Sequence, residues 1–91
     1  METTEDLQIG QLVKSKAGRD KGKLFIIKEI INDKYVYIVD GELRKISNPK
    51  KKKVKHLIIY KRIFKEFQEQ TKNSIKLTNV FVKKLIEPYE K

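Results

Sequence analysis

KSKAGRDKGK, Lys14 to Lys23, separates two apolar-rich runs, Ile9 to Val13 and Leu24 to Ile31. Gly18 and Gly22 bracket one acid and several bases, so the stretch reads as a tight, positively charged turn between two strands. Glycine enters positive φ without strain and lets another backbone approach closely, which assigns Gly18 and Gly22 to shaping the turn. Asp20 is expected to brace it by accepting backbone amides. Lys14, Lys16, Arg19, Lys21 and Lys23 would then surround the turn with fixed positive charge, which suits a phosphate backbone better than a small neutral ligand.

Outward from the turn, the pattern is that of short strands. Upstream, Leu12 and Val13 belong to a strand ending near Lys16, and Met1 to Asp6 is a polar, acidic lead-in. Downstream, LFIIKEII (Leu24 to Ile31) is β-branched and aromatic and ends at Asn32, Asp33 and Lys34, a hairpin-type connection. YVYIV (Tyr35 to Val39) is the clearest strand. Alternation puts Val36 and Ile38 in the core and Tyr35, Tyr37 and Val39 on the other face. Asp40-Gly41 predicts a hairpin whose return strand is Glu42 to Ile46. Ser47, Asn48 and Pro49 break that strand, the run Lys50 to Lys53 follows, with a solvated linker as its plain reading, and VKHLII (Val54 to Ile59) is a fifth strand. Five short strands in about fifty residues are too few for a sandwich and suffice for a small, strongly curved barrel.

Beyond Ile59 the period changes. Tyr60, Ile63, Phe64 and Phe67 fall at i, i+3, i+4 and i+7, which predicts an amphipathic helix with Arg62 and Glu66 as an i,i+4 pair and a stop at Asn73. A second helix starts at Thr78 as N-cap, with Leu77 stapled onto Val82 and Phe81, Val82, Leu85 and Ile86 as its apolar face; Pro88 ends it. The expected organisation is a flexible lead-in over 1–8, a barrel over 9–59 and a helical extension over 60–91. The fold class is mainly β with one or two short C-terminal helices.

The chain carries 22 Lys+Arg against 12 Asp+Glu, a formal +10. All of the excess lies in two segments: Leu43 to Lys65 holds ten bases and no acid, and Lys14 to Lys23 holds five bases and one acid. An anionic partner follows, nucleic acid first and a membrane surface second. Without cysteine there is no disulfide framework, thiolate metal site or cysteine nucleophile. His56 is the only histidine, so no metal site of ordinary ligand count is expected, and no nucleophile with a matching base can be named. Gly22-Lys23 is followed by Leu24 where a phosphate loop needs Ser or Thr. The expectation is a chain without catalytic residues, metal or cofactor. The N-terminus lacks the basic start and apolar run of a signal peptide, so the expected location is cytoplasmic, without a membrane partner.

Taken together, Ile9 to Leu57 resembles the KOW-motif domains, and more closely the small bacterial KOW-domain RNA-binding proteins grouped with the large-subunit ribosomal protein fourteen-e family. The resemblance rests on Gly10 and Val13 before the turn, on Ala17, Gly18, Arg19, Asp20, Lys21, Gly22 and Lys23 within it, on the hairpin Tyr35 to Arg44 with Asp40-Gly41, and on Asn48-Pro49-Lys50-Lys51-Lys52. It implies an SH3-like five-stranded barrel and RNA binding in or near the ribosome. The candidate RNA contacts are the loop bases Lys14, Lys16, Arg19, Lys21 and Lys23 together with Arg44, Lys45, Lys50, Lys51, Lys52, Lys53 and Lys55. Solvated charge is the plain alternative for each. Tyr35 and Tyr37 are candidates for base stacking, with packing under the C-terminal helices as the alternative. A second functional class stays open: a protein-interaction module that docks on a ribosomal, translation or transcription component, with the basic face secondary.

Overall fold

Four consecutive residues of one strand, Leu24, Phe25, Ile26 and Ile27, are all buried, because the sheet they belong to is covered on both faces. The computed structural model describes residues 5–90. Its strands are β1 (Gln11–Ser15), β2 (Leu24–Ile30), β3 (Tyr35–Val39), β4 (Lys50–Lys53) and β5 (Leu57–Ile63), followed by helices α1 (Lys65–Lys72) and α2 (Asn79–Ile86). A 3₁₀ turn at Val54–His56 joins β4 to β5, and another at Glu87–Tyr89 follows α2. Successive side chains of a strand point to opposite faces. Phe25 and Ile27 therefore join Leu7, Val13, Val36, Ile38, Val54 and Leu57 in an inner cluster. Leu24 and Ile26 join Leu12, Val39, Phe64, Phe67, Val82 and Ile86 in an outer one, roofed by the two helices. Burying each such side chain contributes roughly 1.5–3 kcal/mol, so the helical layer is integral to the fold.

The sheet is antiparallel throughout in the order β4-β3-β2-β1-β5. β4 and β5 are its two edges, yet only four residue steps separate Lys53 from Leu57, a reach of at most about 14 Å. Five flat strands would put the edges roughly 19 Å apart. The sheet must curl around the inner cluster. The 3₁₀ turn spans the remaining gap: Val54 N donates to Lys34 O (2.9 Å), and Lys16 N donates to His56 O (3.0 Å). Among the described residues the sheet stays open: the five strands expected to make a small, strongly curved barrel make a curled sheet whose edge strands do not pair with each other.

Three expected elements are corrected. Glu42 to Ile46 is a loop, because Asp40 competes for its amides: Asp40 Oδ1 accepts from Glu42 N (2.9 Å) and Arg44 N (2.8 Å), while Arg44 O takes the N–H groups of Asp40 and Gly41. Ile46 N is drawn off to Asn79 Oδ1 at the start of α2 (2.8 Å). This leaves the edge of β3 to the lysine run, which is strand β4 and not a linker. The predicted fifth strand begins with the 3₁₀ turn, and β5 continues through Tyr60 to Ile63, where a helix was expected. Its spacing misled because Tyr60 on the strand and Phe64 and Phe67 beyond it reach the same outer cluster. Arg62 accordingly makes no pair with Glu66; its Nε donates to the Tyr89 hydroxyl (2.8 Å), and its guanidinium lies 4.5 Å from the centre of the Phe64 ring.

Other local readings hold. α1 stops at Asn73, and Thr78 caps α2 by accepting from Phe81 N (3.1 Å). Leu77 and Val82 share the outer cluster. Gly41 has φ +80°, and a Cβ there would collide with the Asn79 carbonyl oxygen, so the first turn of α2 seats directly on the loop after β3. The lead-in prediction lies outside the described residues for 1–4, whereas Leu7 is 6% exposed in the inner cluster. Among the described residues no helix is long and apolar enough to cross a membrane.

Candidate nucleic-acid interface

The pleat of β4 divides its four lysines. Lys50 and Lys52 stand opposite Ile38 and Val36, while Lys51 and Lys53 stand opposite Tyr37 and Tyr35. On the inward side, Lys52 Nζ reaches Asp20 Oδ1 (3.4 Å) and donates to Ala17 O (3.0 Å), and Lys50 Nζ meets Asp20 Oδ2 (3.2 Å). Ser15 Oγ completes the group, with Asp20 Oδ1 at 3.0 Å and Ala17 O at 2.9 Å. Lys52 is only 7% exposed, so this candidate contact is a buried structural cation. Burial pushes the Asp20 carboxyl up, but hydrogen bonds from Lys50 and Ser15 and the charges of Lys52 and Lys50 outweigh it and hold the group below its ordinary value.

That changes the expected role of Asp20. Its carboxylate serves the side chains of Ser15, Lys50 and Lys52, not turn amides, and the turn's amides are taken by main-chain carbonyls. Gly22 N donates to Ser15 O (2.7 Å), Ser15 N to Lys23 O (2.9 Å), Lys23 N to Asp20 O (3.0 Å) and Lys21 N to Gly18 O (3.2 Å). Gly18 and Gly22 sit at φ +84° and +88°, as their turn-shaping role requires. Asp20 therefore ties the loop to β4.

On the outward side the lysines meet an aromatic ring. Lys51 Nζ lies 4.7 Å and Lys53 Nζ 5.7 Å from the centre of Tyr35. Tyr35 and Tyr37 are half-buried there, and the cluster beneath the helices takes Tyr60 instead. A base stacking on Tyr35 would have to displace Lys51. Beside this face the 3₁₀ turn carries Lys55 and His56. Burial first, then the charges of Lys55, Lys52, Lys53 and Lys16, lower the His56 pKa below its ordinary value. Cations from the glycine loop, from β4 and from the 3₁₀ turn thus converge, while Asp20 is committed to Lys50 and Lys52.

The remaining candidates lie at two cavities and on two exposed loops. Arg19, Arg44 and Lys50 line a cavity of about 390 Å³ together with Asp20, Phe25 and Leu43. Lys14 and Lys23 border a separate cavity of about 180 Å³ with Gly22, Leu24, Tyr89 and Glu90. Lys21 and Lys45 are exposed on their loops. The structure therefore does not merge the twelve predicted bases into one uniform patch. Sequence reasoning missed Ser15 and Ala17, whose roles follow only from pairing across the sheet, and Leu43, where an apolar residue between a Gly-containing turn and two bases was the available signal.

No family model matches the chain. A Bacillus subtilis (strain 168) protein named "Putative ribosome-binding protein YbzG" is 32% identical over 73 residues, which cover 80% of this chain and 99% of that protein.

Proposed function

This chain belongs to the family of YbzG, and from that premise we propose that it binds the ribosome, holding ribosomal RNA through phosphates and without chemistry of its own. The observation that carries the RNA reading is that Lys51 and Lys53 lie over Tyr35 while Lys53, Lys55 and Lys16 lie near His56 on the adjoining turn. Lysines gathered in this way raise the local potential and draw in a polyanion. The fold supports the narrower assignment to an SH3-like KOW domain: a curled five-stranded antiparallel sheet whose first loop is built on Gly18 and Gly22. A ribosomal partner would put the protein in the cytoplasm.

The test is sedimentation with ribosomes, followed by binding to purified ribosomal RNA across a salt series. Log affinity for RNA should fall against log salt by about 0.7–0.9 for each phosphate neutralised. A flat response would sink the electrostatic reading. Retention of the protein on nuclease-treated ribosomal particles, with no affinity for the free RNA, would assign the contact to a ribosomal protein.

A further inference from the structure

The chain has three arginines, Arg19, Arg44 and Arg62, and two of them line the same cavity of about 390 Å³. They arrive from different elements, Arg19 from the glycine loop and Arg44 from the loop after β3. Among the described residues neither guanidinium has an ion-pair or hydrogen-bond partner, whereas that of Arg62 is spent on Tyr89, Ile63 O and the Phe64 ring. Leu43 stands on the rim, 58% exposed, an apolar side chain that the fold itself does not bury. Lys50, Asp20 and the buried Phe25 close the wall.

We propose that this cavity receives one unpaired RNA nucleotide, its base laid between Leu43 and a guanidinium plane and its phosphate gripped by the other arginine. The inference rests on the RNA reading above and adds a specificity element to it. Size favours a nucleotide: the volume lies near the lower end of small-ligand pockets and is far too small for a helix. Chemistry favours it too, since a guanidinium is planar, stacks on π-faces and grips phosphate bidentately, which an ammonium does not. Unpaired bases splayed from a helix are what proteins read in RNA, stacking them on aromatic or arginine planes. The main chain that carries these side chains is held in place. Asp40 Oδ1 fixes the amide of Arg44, Asn79 holds Ile46, and Gly18 and Asp20 fix the chain on either side of Arg19.

The experiment compares the full chain bound to an RNA hairpin carrying a single-nucleotide bulge and to the same hairpin without it, using the wild type and the Arg19→Lys/Arg44→Lys variant. That double substitution keeps the net charge and changes side chains outside both core clusters. The wild type should prefer the bulged hairpin by about fivefold or more, the lower end of one base stack. The variant should lose that preference, binding the bulged and the perfect hairpin with equal affinity. Equal wild-type binding to the two hairpins, or an undiminished preference in the variant, overturns the pocket while leaving phosphate binding in place. Salt-independent or absent binding to both hairpins overturns the phosphate reading and the pocket together.

Discussion

Lys50 and Lys52 are chemically identical to Lys51 and Lys53 and stand one step away on the same strand, yet the two pairs do opposite things. The first pair is folded inward onto Asp20 and anchors the glycine loop; the second lies over Tyr35, with Lys51 exposed and Lys53 half-buried. The pleat alone makes this division. A run of like charge on a strand is therefore two functional sets, and its whole charge is not available to a partner.

The sharpest way to break the comparison is to remove the anchor. Asp20→Ala would leave the nearly buried Lys52 ammonium without its counter-charge, and breaking a buried pair from one side costs about 3–5 kcal/mol. Lys51→Ala with Lys53→Ala should change stability by under about 1 kcal/mol, since Lys51 is exposed, Lys53 is half-buried and neither leaves a buried counter-charge behind. Urea unfolding measures both. Similar losses in the two variants would mean that inward and outward lysines are energetically alike.

The same double variant sharpens the comparison from the binding side. If Lys51 and Lys53 each neutralise one phosphate, removing both should lower the salt slope for ribosomal RNA by about 1.4–1.8, at 0.7–0.9 for each contact. An unchanged slope with weakened affinity would point to packing on Tyr35 in place of phosphate contact.

Much of this arrangement was legible in the sequence, and the misses share a cause. The glycine turn, the cores of β2 and β3 and the cap at Thr78 rest on local signals: left-handed glycines, β-branched runs, a hydroxyl before an apolar periodicity. Glu42 to Ile46 failed because its amides were claimed from outside, by the Asp40 carboxylate and by Asn79, thirty-three residues beyond Ile46. Lys50 to Lys53 failed because four lysines have little strand preference of their own, and only the open edge of β3 and the Asp20 carboxylate make them a strand. At the site, the bases could be named from composition. Which of them were already paired could not, because the partner lies thirty residues or more away.

The smallest expected effect separates the two pairs by pH. The Asp20 carboxyl is held below its ordinary value in the folded protein, so folding favours its ionised form. Its contribution is fully present above the unfolded value, near 3.8, and is lost as pH falls through the lower folded value. Asp20→Asn removes the titrating group while keeping its shape. The stability difference between wild type and this variant should be constant at neutral pH and shrink on acidification below about pH 5. A Lys51→Ala/Lys53→Ala variant has no carboxylate partner to lose and should follow the wild-type acid limb. Thermal melting of the three proteins from pH 7 downward distinguishes these curves, and a difference for Asp20→Asn that stays constant to the lowest pH would show that the inward lysines are held by packing and by Ala17 O without help from the charge on Asp20.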